Sequence, residues 1–139
     1  MFTSVSSRSA AAYKRASIES SVDMADPHQL VTLLFEALQR AIGSAKLSMQ
    51  AGDIPGKCKQ ISNAISILEE GLIAPLDEEK GGEIATNLKA LYDYCARQLV
   101  MANLKNDVSK LEEVSRLLEP VISGWKQIKG EGPAYLRPV

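Results

Sequence analysis

Four stretches of the chain repeat apolar residues at spacings of three and four, the rhythm of helices that bury one side. The first opens at ADPHQL. There Asp26 can accept the orphan amide hydrogens of a helix start, Pro27 suits the first helical position, and Gln29 stands three residues past the cap, as a capping box requires. On a wheel turning about 100° per residue, Leu30, Leu33, Leu34, Ala37, Leu38, Ala41 and Ala45 share one face, which Val31, Phe35, Ile42 and Met49 extend. The resulting arc covers about half the circumference, wider than one bundle contact needs. Either this helix is packed on two sides, or Val31, Phe35, Ile42 and Met49 are left for a partner.

AGD ends that helix near Gly52, and a second is predicted over residues 53–72, with Ile54, Cys58, Ile61, Ala64, Ile65, Leu68 and Leu72 on its inner face. Pro75 and the polar run LDEEKGG read as a loop. The third helix turns Ile84, Leu88, Leu91, Tyr92, Cys95, Leu99 and Ala102 to the core, while Ala90, Tyr94 and Met101 form a second apolar strip off that face. Methionine adapts its shape and tyrosine offers area with a polar end, so the strip is a candidate protein contact. After LKND, where Asn106 or Asp107 can cap, the last helix aligns Leu111, Val114, Leu117, Leu118, Val121, Ile122, Trp125 and Ile128. Pro120 falls on its solvent side and is expected to kink or split the helix, because it removes a backbone donor.

Long helices joined by short links predict an all-α, antiparallel up-and-down four-helix bundle over residues 23–129. Residues 1–22 are rich in Ser and Ala and too poor in large apolar side chains to build a core. A short helical arm is expected around SAAAYKRAS, held only by what it docks against. Residues 130–139 read as a flexible tail.

Composition narrows the function further. The 139 residues are 45% apolar and 24% charged, as in ordinary globular proteins, and the net charge of −1 gives no long-range reason to bind nucleic acid. No apolar run approaches the ~20 residues of a membrane span, so no membrane insertion is expected. Cys58 and Cys95 stand far apart in no paired motif and read as small buried hydrophobes, and the N-terminus lacks the pattern of a secretory signal. The cytoplasm is the expected compartment. His28, the single histidine, has no Glu-x-x-His partner, so neither a metal site nor a cofactor is expected; its first-turn position reads as solvated. No nucleophile motif, P-loop or dinucleotide fingerprint occurs, and no small-molecule substrate is implied. The chain is read as a binding protein and not an enzyme.

The segments AAYKRASIES, DPHQLVTLLFEAL, LDEEKGGEIATNLKALYDYCARQL, ANLKND and WKQI resemble, in order and spacing, the FliS family of flagellar secretion chaperones. The resemblance runs from about Tyr13 to Ile128. It implies a cytosolic helical bundle that binds the C-terminal segment of flagellin, one to one, prevents its premature polymerisation and keeps it competent for flagellar type III secretion. It also implies an N-terminal arm whose tyrosine, here Tyr13, docks over the binding surface and is displaced by flagellin, with the flagellar export apparatus as a further partner; Ile18, the other sizeable apolar side chain of the arm, is expected to cover the same surface. The chain departs from the family in carrying Ala10 where an aliphatic residue often stands, and Pro120 inside the last helix. Two other readings stay open: a regulatory adaptor bundle that binds another protein, such as an anti-sigma-type regulator, and a phosphotransfer module using His28.

Overall fold

The computed structural model describes residues 26–128. Tyr13 and Ile18, and with them the expected arm, lie outside the described residues, as does the tail. Among the described residues there are four α-helices and no β-strand: α1 Pro27–Gln50, α2 Ile54–Ser66, α3 Glu78–Lys105 and α4 Val108–Gln127.

The capping box forms as expected, with the Gln29 amide donating to Asp26 Oδ1 at 2.7 Å and the Asp26 amide to Gln29 Oε1 at 3.3 Å. Helix α1 ends at Ala51, and Gly52, at φ 75°, makes the reversal that a side chain would resist. Asp53 then caps α2 by accepting from the Gly56 amide. Of the two candidates in LKND, Asp107 caps α4, accepting from the Ser109 amide at 3.0 Å, whereas Asn106 closes α3 in the left-handed conformation at φ 56°.

Side-chain bonds between helices set their directions. From one end of α1 to the other, His28 meets Trp125, Gln39 meets Ser115 and Lys46 meets Glu112, so α4 runs antiparallel to α1. Tyr94 with Glu113 and Gln98 with Lys110 make α3 and α4 antiparallel in the same way. Helix α1 packs between α2 and α4, and α3 packs between the same two on the opposite corner. This is the up-and-down bundle that the short links required.

The core holds Leu30, Leu34, Leu38, Ile61, Leu68, Leu99, Leu111, Val114 and Leu118, each essentially without solvent exposure. Removal of one such leucine from water contributes about 1.5–3 kcal/mol. At the end where α1 and α3 finish, the core is closed by a charge. Lys57 is 5% exposed, and its Nζ donates to the Asn103 carbonyl and to Asn106 Oδ1, both at 3.0 Å. A cation that caps the carbonyl end of α3 sits where the helix dipole favours it.

Several elements differ from the sequence expectation. The second helix does not stay α-helical to residue 72; it widens into a π-helical segment, Ile67–Ile73. In that segment Ile67, Leu68, Gly71 and Leu72 are all buried. The expected loop LDEEKGG is partly helical: Asp77 caps a turn from Glu78, and Gly82, at φ 53° and ψ −131°, breaks the helix before it resumes. Helix α4 runs through Pro120 unsplit. Both Pro120 and Arg116 are exposed, so the carbonyl that loses its intrahelical donor can bond to water. Ile54 and Ile84, placed on core faces by periodicity, are exposed, because each lies in the first turns of its helix where no neighbour covers it.

Candidate functional site

At the end of the bundle where α1 begins and α4 finishes, the helices part around a cleft of about 270 Å³. Val31 and Phe35 of α1 and Leu72 of the π segment line it. Leu76 of the following link, Ile84, Leu88 and Tyr92 of α3, and the last turns of α4 from Pro120 to Ile128 complete the wall. The lining is almost wholly apolar. Ile84 is 60% exposed at its rim, and Ile128 stands opposite, also exposed.

One clasp holds the wall in place. The His28 ring stacks on Trp125 with centroids 4.7 Å apart and planes 14° off parallel. His28 Nε2 lies 2.8 Å from the Trp125 carbonyl, which can only accept, so this nitrogen carries the proton and donates. Trp125 Nε1 returns a bond of 3.1 Å to the His28 carbonyl. Thus the start of α1 is tied to the end of α4 by reciprocal bonds, and Phe35 meets the same indole edge-on. His28 is half-buried, not the solvated side chain that its first-turn position suggested.

Gly82 and Gly124 shape the opening. The break at Gly82 sets the first turn of α3 apart from the helix that carries Ile84, and Thr86 Oγ1 ties the two by donating to Glu78. Gly124 lies on the cleft wall, and a Cβ built there would meet nothing within 4 Å.

A second apolar feature runs along the outer face of α3. Ala90 is exposed, and Tyr94 and Met101 are half-buried. The Tyr94 hydroxyl donates to Glu113 Oε2 at 2.8 Å; that bond and the nearby carboxylate hold its pKa above the ordinary value. Leu104, 77% exposed, and Val100 prolong the strip, and both were missed from the sequence. Leu104 was legible, since it lies three residues past Met101 on the same side of the wheel. The widened arc of α1 is placed differently: Val31, Phe35, Ile42 and Met49 are all buried, and of these Val31 and Phe35 reach the cleft. The cleft and the α3 strip therefore bring together some of the candidate residues and separate others.

Among the described residues no group of three His, Cys, Asp or Glu side chains could hold a metal ion, and no helix is long and apolar enough to cross a membrane. Among the described residues the bundle carries an open apolar cleft and an apolar outer strip, surfaces of the kind that contact another polypeptide. Residues 9–132 match the family described as flagellar protein FliS. The chain is 50% identical over 117 residues to the flagellar secretion chaperone FliS of Salmonella typhimurium, an alignment covering 84% of this chain and 87% of that protein. It is 45% identical over 116 residues to the flagellar secretion chaperone FliS of Escherichia coli, covering 84% and 85% of the two chains. The flagellar secretion chaperone FliSB of Pseudomonas aeruginosa is also 45% identical over 116 residues, with 84% and 91% covered. The chain belongs to the FliS family, whose members are flagellar export chaperones and not enzymes.

Proposed function

We propose that this protein is a cytosolic chaperone that binds the C-terminal segment of flagellin, one molecule to one, and holds it unpolymerised until the flagellar export apparatus receives it. The observation that carries the reading is the open apolar cleft with Ile84 and Ile128 exposed at its rim, in a chain whose relatives are named flagellar secretion chaperones. An amphipathic segment laid across the bundle could place apolar side chains in the cleft and on the α3 strip of Ala90, Tyr94, Met101 and Leu104. Its ordering cost lowers the net affinity, which suits a complex that must later be released. Titration calorimetry with a flagellin C-terminal peptide, followed by circular dichroism, tests this. Expected are a stoichiometry of one, added helicity on binding, and a loss of about 1–2 kcal/mol in each of Tyr94→Ala and Met101→Ala. No heat at micromolar concentrations, or heat with no gain of helix, would sink the reading.

Residues 1–22 act in this reading as a lid, with Tyr13 and Ile18 docked on the bundle until flagellin displaces them. The lid lowers apparent affinity by the fraction of molecules in which it is closed. Tyr13→Ala is expected to speed amide exchange in the region the lid covers and to raise self-association of the free protein. Unchanged exchange throughout residues 31–49 would rule out a lid over that face.

A further inference from the structure

At the end of the bundle away from the cleft, the last turns of α3 expose apolar side chains. Leu104 is 77% and Val100 51% exposed, and half-buried Tyr94 and Met101 lie on the same outer side. The outward face of a bundle helix is ordinarily polar, as it is early in α3, where Glu79, Glu83 and Thr86 stand exposed. Charge of one sign brackets the apolar turns. Arg97 lies about one turn before Met101 and Lys105 about one turn after it, both exposed, and no acid occurs from Arg97 to Asn106. We propose that this face of α3 binds an acidic amphipathic helix, with its apolar side chains against Val100, Met101 and Leu104 and its carboxylates on Arg97 and Lys105.

The two cations are available for such a partner. Among the described residues neither enters an ion pair. The acids around the face are engaged elsewhere: Asp93 pairs with Lys89 at 3.2 Å, Glu113 accepts from the Tyr94 hydroxyl, and Asp107 caps the start of α4. Helix electrostatics accounts for only one of the cations. Lys105, in the last turn, answers the negative end of the α3 dipole, but that effect fades within about a turn, and Arg97 stands eight positions earlier. Eight residues of helix rise about 12 Å. A partner helix aligned with α3 therefore meets both cations when its acids are two turns apart with apolar residues between them. Apolar contact supplies the grip, and the charges at the edge select the partner and its register. A face that seats on a membrane is rich in Lys and Arg; this one has two such residues, with acids close by.

Assignment of the acidic helix to the flagellin C-terminal segment rests on the function proposed above; the surface itself does not, and the test separates them. Two amphipathic peptides with the same leucine face, one flanked by glutamates and one by lysines, are titrated into the full-length protein. The methyl resonances of Val100, Met101 and Leu104 are expected to shift with the glutamate peptide and not with the lysine peptide, and affinity to fall several-fold between about 0.05 and 0.5 M salt. Arg97→Glu with Lys105→Glu is expected to reverse the preference with the helical spectrum unchanged, since both sites are exposed. Equal binding of the two peptides, or shifts confined to the cleft at Ile84 and Leu88, overturns the proposal. So does binding to phosphatidylserine vesicles that Leu104→Ser abolishes, which would make a membrane the occupant, or a dimer that the same variant dissociates, which would make it a second copy. The flagellin peptide supplies the other arm: charge reversal is expected to weaken its binding several-fold. A flagellin peptide that binds the reversed variant undiminished overturns its assignment to this surface. One that fails to bind the wild type, while the glutamate peptide still discriminates, overturns the proposed function and leaves the surface in place.

Discussion

Burial leaves Cys95 without water to solvate a thiolate, and the charge of Glu113 opposes ionisation further; together they push the thiol up to about 11 from its ordinary 9.0. The unfolded chain therefore releases this proton first as pH rises. The contribution to stability is complete below pH 9, declines between about 9 and 11, and is lost above the folded value. Urea unfolding from pH 8 to 10.5 is expected to show a fall that is shallower in Cys95→Ala, by on the order of 2 kcal/mol at the upper limit. Parallel pH profiles for the two proteins would refute the shift. Cys58, partly exposed with its Sγ 3.5 Å from Asn103 Oδ1, is the thiol expected to react first with a disulfide reagent. Spacing placed both cysteines on inner faces and could not tell them apart, because the difference lies in how near each stands to the end of the bundle. The same limit applied to His28, whose partner Trp125 is 97 positions away in sequence.

Among elements, α4 gives the clearest case of a local rule set aside by its surroundings. Proline within a helix costs up to about 3 kcal/mol, yet α4 continues through Pro120 because the lost bond falls on the solvent side and the facing stripe of Leu111, Val114, Leu118 and Trp125 is buried. Pro120→Ala is accordingly expected to raise stability, by about 1–3 kcal/mol in chemical denaturation. A decrease would show that ring contacts on the cleft wall outweigh the missing bond. Helix starts were legible in the sequence, since Asp26, Asp53 and Asp107 are each followed by the amide they cap. Helix interiors were less so. The π segment leaves no mark that a wheel can detect, and Gly82 could be read as a loop residue but not as a break inside a helix that had already begun.

At the scale of the whole molecule, the up-and-down bundle follows from four amphipathic stretches and short links, whereas the cleft follows from none of them singly. Its walls come from all the helical segments that meet at one end, and residues assigned by periodicity to the core, Ile84 and Ile128, become its exposed rim through their positions at the ends of α3 and α4. A wheel describes one helix; it does not show where two helices stop covering each other. Gly124 allows the cleft to be tested apart from the fold. A Cβ built there meets nothing within 4 Å, so Gly124→Leu is expected to obstruct the cleft at its wall, and exchanging glycine inside a helix for a better helix former favours folding by about 0.5–1 kcal/mol. Most substitutions that damage a binding site also weaken the protein, which makes lost affinity ambiguous; here the two effects are expected to move in opposite directions. Gly124→Leu should melt at the same temperature or higher and bind the flagellin peptide at least tenfold more weakly, a loss of about 1.4 kcal/mol. A variant that is more stable and binds undiminished would move the proposed site away from the cleft, leaving the outer strip of Tyr94, Met101 and Leu104 on α3 as the candidate contact surface.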